Sequence, residues 1–258
     1  MAGAALTISG VAPEAVLGGR ISIVQPPRGY RVPIDAWLLA AFVGPCESLL
    51  FDLGAGVGAV TLALTRLNPS LRAVAVERES QYAQCLRTNV SANGVAERVL
   101  VAECDVVDAA RARRGSARVV VANPPYWASG ATTEPDDPLR EVAHIGDDGS
   151  GRAGAGALGD FTRAARLALG RRGRVCFVWP AGGTLALFDA AAAQGLHAKR
   201  ARFVHPRMDR VATRVLAEFR AGRAGGLAVE PPLALVGSDG RPTVEADSIA
   251  QGLAFDPR

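Results

Sequence analysis

Apolar positions in this chain come in short, unbroken runs. Residues 48–53, 73–76, 99–102, 117–122 and 173–179 are each dominated by Val, Leu, Ala and Phe. Runs of that length read as buried strands. Stretches with helical character lie between and after them, over residues 59–67, 158–169 and 185–193. Residues 197–205 and 210–219 read as two final strands, an antiparallel hairpin at the sheet edge. Strands alternating with helices predict an α/β chain with a seven-stranded, mostly parallel sheet. Upstream, residues 25–43 read as a short strand or hairpin and then a helix. Residues 1–19 read as flexible at their start.

The first four strands each end in an acceptor-bearing side chain. These are Asp52, Glu77, Asp105 and Asn123. Open α/β sheets keep their sites at that carboxyl edge. After Asp52 come Leu53 and the glycine-rich run Gly54-Ala55-Gly56-Val57-Gly58. The spacing G-x-G-x-G lets backbone approach a ligand, but it is not the G-x-G-x-x-G dinucleotide fingerprint. Glu77 lies 25 residues beyond Asp52, where a ribose-binding acid is expected. The fourth strand runs into Asn123-Pro124-Pro125-Tyr126. Two prolines without N–H groups cannot extend a strand, so the chain turns off the sheet there. The Asn123 oxygen and the neighbouring carbonyls are acceptors, and Tyr126 offers a flat face. That set suits an amino group on a planar, conjugated system.

These four elements, in this order, resemble the class I S-adenosylmethionine-dependent methyltransferases. The resemblance implies a Rossmann-like fold with S-adenosylmethionine as cofactor. It implies that Gly54, Gly56 and Gly58 approach the methionine portion and ribose, that Glu77 accepts from the ribose hydroxyls, and that Asp105 accepts from the adenine amino group with the Val106 N–H near its ring. Asp52 helps to hold the methionine ammonium, and Asp35 faces the same pocket. Asn123, Pro124, Pro125 and Tyr126 match the [NDS]-P-P-[YF] motif of amino-group methyltransferases, whose acceptors are adenine N6, guanine N2 or a glutamine amide. The flanking Gln25-Pro26-Pro27-Arg28-Gly29-Tyr30-Arg31, together with His205-Pro206-Arg207, Pro231-Pro232-Leu233 and Asp239-Gly240-Arg241-Pro242-Thr243, resembles the bacterial tRNA(Val) adenine-N6 methyltransferases. Residues 1–47 then form a cap segment, 48–220 the methyltransferase core, and 221–258 an extension packed on it.

Charge changes the picture. The chain carries +4 overall, yet residues 159–223 hold 12 Arg and Lys199 against Asp160, Asp189, Asp209 and Glu218, a surplus of +9. A basic C-terminal half predicts contact with an RNA backbone, tRNA on the resemblance. Arg supplies 28 of the 29 basic residues, so part of this excess is compositional. No run is long and apolar enough for a membrane span, and the apolar start lacks a basic leader. Cys46, Cys85, Cys104 and Cys176 have no metal-ligand spacing and read as free thiols. The expectation is a cytoplasmic enzyme with no metal. Residues 127–157, rich in Gly, Asp, Thr and Pro, are too long for a passive connector and read as a substrate-gating loop. Three other functions fit the same chemistry or fold: a protein glutamine-amide methyltransferase, a small-molecule methyltransferase, and a binding protein that has lost catalysis. The 47 residues before the first core strand leave little room for the helical domain usual in glutamine methyltransferases.

Overall fold

The structure, a computed structural model, describes residues 12–26, 34–125 and 153–252. A ribbon of β1 (Glu14–Val16) and β2 (Ile21–Ile23) precedes α1 (Ile34–Val43). Then come β3 (Leu49–Leu53), α2 (Ala59–Leu67), β4 (Arg72–Val76), α3 (Ser80–Ala92), β5 (Val99–Ala102), α4 (Val106–Ala112) and β6 (Ala117–Ala122). The second half comprises α5 (Ala153–Ala168), β7 (Leu169–Pro180), α6 (Thr184–Ala193), β8 (Leu196–Arg207) and β9 (Arg214–Ala221). It closes with β10 (Ala228–Val229), β11 (Leu233–Val236) and α7 (Val244–Ala250).

The main sheet runs β10-β8-β9-β7-β6-β3-β4-β5, with β11 also on β8. Strands β5, β4, β3, β6 and β7 are parallel neighbours, and β9 inserts antiparallel between β7 and β8. This is the expected mostly parallel sheet with its C-terminal hairpin. One feature differs. The outer edge of β8 carries β10 and β11, both parallel to it, so nine strands share the sheet among the described residues. A two-residue strand such as Ala228-Val229 has too little pattern to be read from sequence.

The central strands have little but apolar side chains on both faces because helices cover both. Leu50, Leu62, Leu64, Val121 and Cys176 belong to the core beneath α1 and α2. Phe51, Leu53, Val120, Phe177 and Phe219 belong to the core beneath α4, α5 and α6. Element bounds shift modestly. Helix α5 begins at Ala153, so the last five residues of the expected 127–157 loop are helical, and residues 127–152 lie outside the described residues. The upstream hairpin sits at residues 14–23, earlier than expected. Residues 210–213 form the β8–β9 turn and do not extend β9.

Candidate active site

The parallel strands place four chain ends along one edge. Leu53 pairs with Val76 on one side and with Ala122 on the other. Gly54, Glu77 and Asn123 are therefore the next residues on three neighbouring strands. Asn123 is half-buried, Pro124 is buried and Pro125 is exposed. Tyr126, the fourth residue of that motif, lies outside the described residues.

Two carboxylates fix the glycine-rich turn from either side. Asp52 is 2% exposed, and its Oδ2 accepts from the Thr61 hydroxyl at 2.6 Å and the Thr61 N–H at 3.1 Å. Thr61 lies in the first turn of α2, so Asp52 ties that helix to β3. Glu77 is 8% exposed; its Oε2 accepts from the Gly56 N–H and its Oε1 from the Glu79 N–H, both at 2.9 Å. Each Glu77 oxygen keeps a second lone pair for a ligand hydroxyl.

Electrostatics mark the place further. Burial pushes the Asp52 carboxyl up to about 6; the Thr61 hydrogen bonds oppose the rise, and the nearby Glu77 charge adds to it. Among the described residues no Lys or Arg pairs with Asp52, Glu77 or Asp105. Acidic groups set at one edge without a protein cation fit a positively charged ligand. Among the described residues no group of three or more His, Cys, Asp or Glu could hold a metal ion. The cysteines take no part: burial raises all four thiols, Cys46 to about 11 and Cys176 to about 12.

The three glycines divide by role. All have positive φ: Gly54 +69°, Gly56 +57° and Gly58 +92°. A Cβ on Gly54 would meet the Phe161 ring at 2.9 Å, and one on Gly58 would meet Leu86 Cδ1 at 2.3 Å. Both are glycine because the protein's own side chains fill that space. Gly56 has nothing within 4 Å of its Cβ position, so that side of the turn is open to a ligand.

Asp105 caps α4, its Oδ1 accepting from the Val107 N–H at 2.8 Å. Val106 is buried beside it. Asp35 has a cationic partner. It is 2% exposed and accepts from Arg214 Nε at 2.8 Å. Arg214 begins β9, opposite Pro180 of β7, so this pair stands on the side of Asn123 away from Glu77. The first turn of α1 lies near the ends of β8 and β9.

One functional candidate escapes sequence reading. Asn89, fully buried in α3, donates Nδ2 to Val57 O and Val24 O, both at 2.9 Å, and accepts from Val24 N–H at 2.7 Å. It latches the β2 segment to the glycine-rich turn. Asn93, one helical turn on, holds both backbone groups of Ser22. Asn89 inside α3 is a poor helix former, whereas Asn93 sits at the helix C-cap; the interior Asn was the available signal.

Comparison with known proteins agrees with this geometry. Residues 31–118 match the precorrin methyltransferase domain family. Over 118 residues the chain is 31% identical to the tRNA1(Val) (adenine(37)-N6)-methyltransferase of Porphyromonas gingivalis, which covers 43% of this chain and 46% of that one. Over 129 residues it is 33% identical to the release factor glutamine methyltransferase of Mycolicibacterium smegmatis, covering 48% of this chain and 44% of that one. The matched stretch thus spans about half the length of these relatives. A predicted O-methyltransferase from Agrobacterium tumefaciens superposes with a TM-score of 0.67 at 22% identity, over 87% of this chain and 99% of its own. No helix among the described residues is long and apolar enough to cross a membrane. The chain carries the Rossmann-like fold of methyltransferases, and its residues 31–118 are similar to a methyltransferase domain.

Proposed function

We propose that this protein is an S-adenosylmethionine-dependent N-methyltransferase acting on an amino group of a planar acceptor, adenine N6 in tRNA. The observation that carries the reading is the Asn123-Pro124-Pro125 turn leaving β6 directly beside Gly54 of the glycine-rich turn. It sets amino-group acceptors next to a site suited to a cation. Similarity to a tRNA adenine-N6 methyltransferase supports the choice of acceptor.

The residues present fit the cofactor. Gly56 leaves open space, Glu77 keeps acceptor capacity, and Asp52 Oδ1 takes no hydrogen bond from a described residue. Glu77 would take the ribose hydroxyls, Asp105 and Val106 the adenine, and Asp52 would balance positive charge on the methionine end. S-adenosylmethionine supplies a methyl group on a sulfonium, already a good leaving group, so alignment accounts for most of the rate. The chain's task is to present the nucleophile. Asn123 Oδ1 and the Pro124 carbonyl would each accept one amino hydrogen, directing the nitrogen lone pair at the methyl. They would also stabilise the positive charge that grows on nitrogen. Pro125 stiffens the turn, and Tyr126 is assigned to stacking on the base, which must be unpaired or flipped to enter. No strong base is required, because the product ammonium is acidic and water takes its proton.

A glutamine amide is the second reading. It is a planar amino acceptor too, and the similarity to a release factor glutamine methyltransferase favours it. The test is transfer of radiolabelled methyl from S-adenosylmethionine to tRNA lacking the modification, with nucleoside analysis. Label in N6-methyladenosine is the expected result. Label in protein alone would replace RNA with a glutamine amide, and label in neither would remove both macromolecular acceptors.

A further inference from the structure

Away from the edge that holds Asn123, the face of the sheet under α1 carries a second cluster of charge. A recess of about 670 Å³ opens between the end of α1 and strands β7, β8 and β9. Its charged lining is Arg174, Lys199, Arg200, Arg220 and Glu218. Arg174 precedes Phe177, which pairs with Ala122, by three residues, so it lies about 10 Å down the strand from the catalytic edge.

Three guanidinium groups share the one carboxylate in this lining. Glu218, 4% exposed, accepts from Arg220 Nε at 2.9 Å and Arg200 Nη2 at 3.2 Å, and Arg174 Nη1 stands at 3.9 Å. Arg200 has a second partner in Glu230 at 3.0 Å. Elsewhere in the basic segment the ion-paired arginines have a carboxylate each: Arg202 with Glu245, Arg207 with Asp209, Arg214 with Asp35. Four cations against two carboxylates leave a surplus of positive charge here.

The cations are also held in place. Arg200 Nη2 donates to Phe42 O at 2.7 Å, and its guanidinium lies 3.9 Å over the Phe42 ring. Arg174 Nη2 donates to Val43 O at 2.9 Å, and Lys199 Nζ to Arg223 O at 2.8 Å and Gly225 O at 2.5 Å. Side chains ordered beforehand lose little freedom when an anion arrives. Guanidinium forks match phosphate geometry, and the volume falls within the usual range for ligand sites.

We propose that this recess is a phosphate-binding site, separate from the methyl-transfer edge, for a ligand carrying two or more adjacent phosphate charges. The proposal stands independently of the methyl acceptor.

The test is calorimetric titration of the full-length protein with sodium pyrophosphate at low ionic strength. The comparison is a Lys199→Gln, Arg220→Gln double variant. Arg220 has a half-exposed side chain, and both changes leave Glu218 with Arg174 and Arg200, so S-adenosylmethionine affinity should match wild type, and a thermal melt well above the titration temperature shows that the variant is folded. Saturable pyrophosphate binding that weakens about tenfold or more in the variant is the expected result. Two arms then separate the sources of phosphate. Single-stranded RNA that displaces pyrophosphate, and binds the variant with a salt slope shallower by about 1.4, makes it a backbone site. RNA that does not compete makes it a site for a free phosphorylated ligand. Equal pyrophosphate affinity in both proteins, or no saturable binding to wild type, would overturn the proposal.

Discussion

At the scale of single residues, the proposed roles of Asp52 and Asn123 separate cofactor binding from chemistry. Asp52 is buried with its carboxyl pushed up to about 6, from an ordinary 3.8. The folded protein therefore binds a proton that the unfolded chain releases between about pH 4 and 6. Stability falls as pH rises through that window, by at most about 3 kcal/mol, and is level above it. A cationic ligand favours the ionised form, so S-adenosylmethionine should bind more tightly at pH 7.5 than at pH 5.5. In Asp52→Asn the Thr61 donors keep an acceptor while the buried charge is gone. That variant should melt no lower than wild type at pH 7.5, bind the cofactor more weakly, and lose the pH dependence; titration calorimetry at both pH values checks this. Asn123 is assigned to the amino acceptor alone. Asn123→Ala should lower kcat about 10²–10³-fold, the usual cost of losing one preorganised partner of the transition state, with cofactor Kd nearly unchanged. Wild-type turnover would remove Asn123 from the chemistry.

At the scale of elements, the β3–α2 turn shows how one stretch of glycine serves two ends. Gly58, at φ +92° and 2.3 Å from Leu86 by its Cβ position, seats α2 against α3. Gly58→Ala should cost about 2–4 kcal/mol from backbone strain and overpacking. Gly56, at φ +57° with open space before it, should tolerate Ala with a loss of about 1 kcal/mol. Its penalty should appear in cofactor affinity, where the added methyl meets the ligand. Thermal melts and cofactor titrations of the two variants should thus show opposite patterns, and an equal loss of stability in both would contradict the division. Around this turn the polar contacts come from distant segments: Glu77 fastens Gly56, and Asn89 fastens Val57 to Val24.

At the scale of the whole molecule, the last described segment completes the sheet. Strands β10 and β11 cover the edge of β8, and Leu233 and Ile249 are buried in the core under α1 and α2. Arg202 and Glu245 join α7 to β8 with two hydrogen bonds, which hold Arg202 above and Glu245 below their ordinary values. Ending the chain after Gly226 should remove about 3–6 kcal/mol of apolar burial from those two side chains alone. It should also bare a strand edge open to other chains. A lower melting temperature and larger species on gel filtration are the expected outcomes; an unchanged melt and a single monomer peak would show that the core closes without this segment.

The reach of the sequence follows from the range of the interactions involved. Strands β3 to β7 were legible because burial on both faces demands apolar runs, and the turns after them because Gly and Pro act on the local backbone. The acidic and amide strand ends could be named because a parallel sheet brings them to one edge. Pairings between residues far apart leave no local trace. The partner of Asp35 is invisible until α1 brings it to Arg214, 179 positions on. Glu218 reads as one acid among many until β7, β8 and β9 bring three arginines to it. Asn89 reads as a weak point in a helix until its amide meets Val24 and Val57. Sequence alone determined the fold class and the chemistry of the strand ends, because backbone preference and burial act residue by residue. Tertiary structure decided which charges neutralise one another and which glycines pack against the protein's own side chains, because those depend on what the fold sets within a few ångströms.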